Sequence, residues 1–180
     1  MLYKYHYQSE LGIITLLAND HALLGIWFEN QSKFAGTFDL DKIEPISEFK
    51  QSVIINEVVK WLDAYFKKQP FKTVDFRLMP QGTAFQQDVW SELQKIPYGE
   101  MITLDELVER IKARQTKGQG TVNAIIGAIN SNPITIMIPS HRVLIPSNQA
   151  GNLLATNHLG HVLREFERNY LMNISEKLMI

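Results

Sequence analysis

The first thirty residues can hardly be anything but strands. Residues 2–8 alternate bulky and polar positions, residues 12–17 are β-branched and apolar, and residues 22–28 form another apolar run, with turn residues Ser9-Glu10 and Asn19-Asp20 between them. Three short strands joined by tight turns make an antiparallel meander, which needs a partner layer to cover one face. The partner follows at residues 49–66, where Val53, Ile54, Val58, Trp61, Leu62, Tyr65 and Phe66 recur at helical spacing. Pro70 is expected to end that helix.

A second unit starts after Met79-Pro80-Gln81-Gly82. Thr83 reads as an N-cap, and Phe85, Val89, Leu93 and Ile96 share one face of a helix that Pro97-Tyr98-Gly99 terminates. Thr103-Leu104-Asp105-Glu106 caps a helix over 104–111, and another helix is expected over 121–130, so the pair predicts a helix-turn-helix. In the second of these, Ala124, Gly127 and Ala128 are small and lie on one side, which suits either helix packing or close approach to a ligand. Between them, Arg110, Lys112, Arg114 and Lys117 follow one another without an intervening acid. A solvated loop and a phosphate contact both fit that pattern. Residues 134–138 read as a buried strand leading into Pro139-Ser140-His141-Arg142. The fold class is therefore α+β: an antiparallel sheet with its helix over 1–79, a helical unit with a helix-turn-helix and a short wing over 80–173, and a tail over 174–180.

Composition mainly excludes. The formal net charge is -1, from 18 basic and 19 acidic residues, so any nucleic-acid footprint must be local. There is no run of about 18 apolar residues for a membrane span, and the N-terminus lacks a signal peptide's apolar core. A soluble cytoplasmic monomer is expected. His6, His21, His141, His158 and His161 show no metal-ligand spacing, and no cofactor is implied. The chain contains no cysteine, which removes disulfides, thiolate metal sites and any cysteine nucleophile.

That absence becomes pointed once the motifs are set side by side. Asn132-Pro133 lies eight residues before Ser140, and Glu167 lies 27 after it. Together with Gly82-Thr83-Ala84-Phe85-Gln86-Gln87-Asp88-Val89-Trp90, Ile96-Pro97-Tyr98-Gly99-Glu100 and Pro139-Ser140-His141-Arg142, these residues resemble the alkylguanine-DNA alkyltransferase family. The resemblance implies a protein that binds double-stranded DNA, turns an alkylated guanine out of the duplex into a pocket, and takes the alkyl group onto its own cysteine. It places His141, Glu167 and Asn132 around the acceptor position, and Arg142, at the family's arginine, among the residues that contact DNA. Tyr98, Gly151, Asn152 and Leu153 fall at the pocket. The helix expected over 121–130, with Asn123, Ala124, Gly127 and Ala128, would lie in the minor groove.

The resemblance also implies losses. Ser140 stands at the acceptor cysteine, Asn123 at the arginine that fills the gap left by the base, and Leu104 at the tyrosine that helps turn it out. Leu153-Leu154 replace a Tyr-Ser pair. A thiol of pKa about 8.5 is readily ionised by a histidine neighbour, whereas a serine hydroxyl is not, and attack at an alkyl carbon develops no oxyanion to stabilise. Alkyl transfer to Ser140 is therefore expected to be negligible, which leaves a DNA-binding protein. Three alternatives stay open at this point: a Cys-to-Ser substitution in an otherwise active alkyltransferase, a Ser140-His141-Glu167 hydrolase triad, and a protein-interaction or duplex-binding module using the basic turn Arg110 to Lys117, with Lys112 and Arg114.

Overall fold

The β-branched and aromatic N-terminal segments pair as the alternation predicts. In the computed structural model, which describes residues 1–31, 35–69, 74–114, 120–146, 148 and 158–179 (backbone only over 169–178), strands β1 (Leu2–Ser9) and β2 (Gly12–Asn19) are antiparallel with Tyr5 opposite Leu16. Their turn closes on Ser9, whose hydroxyl donates to the Gly12 carbonyl at 2.7 Å. Gly12 sits at φ 121, a conformation that favours glycine. Strand β3 (Ala22–Phe28) is buried at every position and pairs antiparallel with β2 through a bulge at Leu17/Ala18. A Cβ on Gly25 would lie 1.9 Å from the Trp27 ring, so glycine there makes room for the indole.

Two additions to this sheet were not legible as strands. The two-residue β4 (Arg77–Leu78) runs parallel to β3, completing the order β1-β2-β3-β4. On β3 as well, Ile26 bridges Ile134, with the Ile26 N–H donating to the Pro133 carbonyl at 3.0 Å and the Thr135 N–H to the Ile26 carbonyl at 3.1 Å. One compact unit thus comprises Met1–Gln81 and Pro133–Thr135, and the other Gly82–Asn132 and Ile136–Ile180.

The helix expected from residue 49 starts later. Phe49–Gln51 is a 3-10 turn, Ser52 caps α1 (Val53–Phe66) by accepting from the Ile55 N–H at 3.3 Å, and Val53 is 76% exposed rather than core. The cap puts Val53 in the first turn, where it faces outward, while Ile54, Ile55, Val58, Val59, Leu62 and Tyr65 are buried. The Tyr7 hydroxyl donates to Asp63 at 2.7 Å, tying α1 to β1. Pro70 lies outside the described residues.

In the second unit, α2 (Ala84–Leu93) opens with a capping box in which Thr83 and Gln86 bond each other's backbone N–H. Trp90 donates its indole N–H to the Ala128 carbonyl at 2.8 Å, joining α2 to α4 (Val122–Asn130). Helix α3 runs Leu104–Arg114, three residues beyond the expected end, and buries Leu104, Leu107, Val108 and Ile111. Strands β5 (Ile102–Thr103) and β6 (Val143–Leu144) pair in parallel. Helix α5 (His158–Leu178) continues through most of the stretch read as a tail. No helix among the described residues is long and apolar enough to cross a membrane.

The expected strand over 134–138 is not one. Only Ile134 makes a bridge; residues 135–137 turn, and Ile136 takes φ 74, left-handed and costly for a β-branched side chain. An apolar, β-branched run reads as a strand by composition, yet here it is a bent loop that brings Asn132 back onto Ser140.

Candidate functional site

The bent loop is held by one side chain. Asn132, 6% exposed, donates from Nδ2 to the Ile138 carbonyl at 2.6 Å and to Ser140 Oγ at 2.8 Å. Ser140 opens a 3-10 turn (Ser140–Arg142), is fully buried, and donates its own hydroxyl proton to the Ile129 carbonyl at 3.3 Å. The serine oxygen is thus a satisfied internal hydrogen-bonding group, and its proton is directed at a backbone carbonyl, not at a base.

Behind it lies a buried charge cluster. His141 Nε2 is 2.7 Å from Glu167 Oε1, and Arg142 forks the same carboxylate through Nε (2.8 Å to Oε2) and Nη2 (2.9 Å to Oε1). The remaining Arg142 Nη1 donates to the Ile96 carbonyl at 2.6 Å, and the guanidinium lies 5.6 Å from the Tyr98 ring centroid. The Gly99 N–H reaches Glu167 Oε2 at 3.4 Å. Burial alone would push the Glu167 carboxyl up; His141 and Arg142 outweigh it and hold it at about 2. Burial lowers the His141 ring below its ordinary value despite Glu167, so the ring is neutral at neutral pH and Arg142 is the cation that balances the carboxylate. His141 Nδ1 has no partner among the described residues.

A hydrolase triad is not assembled by these atoms. His141 turns Nε2 to Glu167, while Ser140 Oγ is bonded to Asn132 and to Ile129; among the described residues no hydrogen bond joins Ser140 to His141.

The residues expected to face a duplex divide. Asn123 and Gly127 are exposed on α4, and a Cβ on Gly127 would meet nothing within 4 Å. Ala124 is half-buried. Ala128, by contrast, is 2% exposed with its carbonyl taken by Trp90, and Leu104 is 2% exposed, so both belong to the core. Arg142, 8% exposed and bonded to Glu167, is likewise no surface contact. Leu104 does line one cavity of about 340 Å³, with Thr103, Asp105, Leu144, Ile145 and Pro146, at the small end of the range for ligand pockets. Gly151, Asn152, Leu153 and Lys117 lie outside the described residues.

The basic turn is also corrected. Arg110, Lys112 and Arg114 belong to α3, and each has an acid beside it: Glu106 at 2.6 Å, Glu109 at 3.8 Å, and Glu92 at 2.8 Å. Two of those acids stand three and four residues earlier on the helix, a spacing visible in the sequence. Glu92 was not anticipated. It is a buried carboxylate on α2; burial would raise it, but Lys95 and Arg114 hold it below its ordinary value.

The chain is similar to known proteins over most of its length. Residues 1–80 match the family model for the 6-O-methylguanine DNA methyltransferase ribonuclease-like domain, and residues 84–165 match that family's DNA binding domain. The methylated-DNA-protein-cysteine methyltransferase of Haemophilus influenzae is 34% identical over 143 residues, spanning 79% of this chain and 73% of that protein. That of Methanosarcina acetivorans is 33% identical over 145 residues, spanning 79% and 83%. Among solved structures, Mycobacterium tuberculosis OGT in complex with DNA superposes with a TM-score of 0.72 at 26% identity, over 93% of this chain and 94% of that one.

Proposed function

Since the chain belongs to the 6-O-methylguanine DNA methyltransferase family, we propose that it binds duplex DNA, with alkylated guanine as its preferred ligand, and transfers no alkyl group. In this reading α3 and α4 act as a helix-turn-helix in a cytoplasmic monomer, with Asn123 and Gly127 against the groove and the cavity beside Leu104 receiving part of the extruded nucleotide. The observation that carries it is the Ser140 hydroxyl, buried and bonded to Asn132 and Ile129, at the position that the motif resemblance assigns to the acceptor cysteine.

The chemistry follows from the atoms. Displacement at an alkyl carbon needs an electron-rich nucleophile aligned with the breaking C–O bond. The Ser140 oxygen keeps its proton, which it donates to the Ile129 carbonyl and not to the His141 ring. Pocket and frame therefore support binding without the covalent step.

Duplex affinity comes largely from phosphate contacts and falls with salt. Lys112, 59% exposed on its side chain with Glu109 only at 3.8 Å, is the described cation best placed for one, together with Lys117 in the sequence that follows. Arg114, held by Glu92, is assigned to tying α3 to α2. A fluorescence anisotropy titration of plain and alkylated duplexes over a range of salt concentrations is expected to give saturable, salt-dependent binding that is tighter for the alkylated duplex. Lys112→Ala should lower the salt slope by about one unit, and Arg114→Ala should leave the slope unchanged. Equal, salt-insensitive binding to both duplexes would remove the proposal.

A further inference from the structure

Every nitrogen of the Arg142 guanidinium makes a directed contact, and no step above uses these contacts. Two of its nitrogens fork Glu167, the third donates to the Ile96 carbonyl, and Tyr98 lies against the guanidinium. Glu167 Oε1, one of the two oxygens it grips, is the atom facing His141 Nε2 at 2.7 Å. A guanidinium never gives up its charge in a protein, and an ionised carboxylate can only accept. The proton between Nε2 and Oε1 must then ride on the ring.

We propose that Arg142 is the positioning residue of this site: its two-pronged hold keeps Glu167 ionised and aimed at His141, which fixes the ring as the Nε2–H tautomer and presents the Nδ1 lone pair as an acceptor. Among the described residues, three charged groups face the ring. From α5 come Glu167 and Arg164, whose Nη1 donates to the His141 carbonyl at 3.2 Å, and from the ring's own turn comes Arg142. Two cations against one carboxylate, in a buried setting, oppose a second proton on the ring, and the direction of the His141 shift agrees. Remove Arg142 and the interior keeps a carboxylate without its balancing charge; the His141–Glu167 pair relieves this by taking up a proton.

The test is nitrogen NMR on the full chain labelled with 15N-histidine, from pH 5.5 to 8.5. The wild-type His141 ring is expected to show a protonated Nε2 and an unprotonated Nδ1 throughout. In Arg142→Met, Nδ1 should become protonated near neutral pH, with the midpoint of the ring raised by about 1–3 pH units. Arg142→Lys retains the charge without the fork and should move the midpoint the same way by less. A wild-type ring titrating near the ordinary value of about 6.5, or carrying its proton on Nδ1, overturns the proposal. So does an Arg142→Met ring identical to wild type; if that variant does not fold, an unchanged midpoint and tautomer in Arg142→Lys is equally decisive. No DNA is required, so this outcome and that of the binding titration are independent.

Discussion

Ser140→Cys is expected to turn a protein proposed to transfer no alkyl group into a slow, single-use acceptor, and Ser140→Cys combined with Asn123→Arg and Leu104→Tyr into a much faster one. The first step rests on a frame already in place. Asn132 Nδ2 sits 2.8 Å from the position-140 side-chain atom, and His141 is held by Glu167 behind it, so a thiol there has a polar, partnered setting in which to lose its proton. The sulfur attacks the alkyl carbon, the bond to the guanine oxygen breaks, and guanine leaves with a proton. Under the proposed function, what the single variant still lacks is extrusion of the base. Unstacking costs a few kcal/mol, Asn123 has no guanidinium to fill the gap, and Leu104 is an aliphatic core residue. At 1.36 kcal/mol per tenfold in rate, the two added side chains are worth about 10²-fold. Single-turnover transfer from an alkylated duplex, followed by protein mass, measures this. Equal rates for the single and triple variants would show that Asn123 and Leu104 are not what limits extrusion, and an inert triple variant that unfolds at the same temperature as the single one, so that Tyr in place of the buried Leu104 has not disrupted the core, would show that the frame around position 140 is not a retained one.

Glu167→Ala is expected to be strongly destabilising. Glu167 is 2% exposed and satisfies Arg142 twice and His141 once. Removing one partner of such a cluster leaves a buried guanidinium uncompensated, at a cost of about 3–5 kcal/mol. In a chain of this length that lowers Tm by about 10 °C or more. The pH dependence has a definite sign. A carboxyl held at about 2 in the folded state against about 4.3 unfolded contributes stability that is fully present above the unfolded value and is lost as pH falls through roughly 5 toward 2. That contribution is on the order of 3 kcal/mol. The lowered His141 ring acts in the same direction from about pH 6.5 downward, since the unfolded chain accepts a proton that the folded one refuses. Thermal unfolding of the wild type should therefore weaken steadily on acidification, and Glu167→Ala should lose the part of that slope below about pH 5. Parallel pH profiles for the two proteins would contradict the assignment.

These expectations show where sequence reading succeeds and where it stops. Strands β1 to β3 were legible because alternation and turn residues coincide, and the start of α2 because Thr83 and Gln86 form a capping pair with a local mechanism. Residues 134–138 were misread because a β-branched apolar run carries no mark of a left-handed Ile136. The basic stretch looked unopposed because Glu92, 22 residues before Arg114, comes from another helix. Arg142 shows the same limit. Its place in the motif pointed outward to DNA, but its partner is Glu167, 25 residues on, and only the folded chain brings the two together. Local rules transfer from sequence; pairings across elements do not.

The central claim is that a family frame survives here without its covalent step. The most direct measurement is the intact mass of the wild-type protein after long incubation with a stoichiometric excess of duplex carrying one alkylated guanine, with the duplex recovered and analysed beside it. The protein should bind the duplex, keep its mass unchanged, and leave the alkyl group on the guanine. A mass increase equal to one alkyl group, mapped to the peptide containing Ser140 and His141 and matched by loss of the group from the duplex, would contradict it.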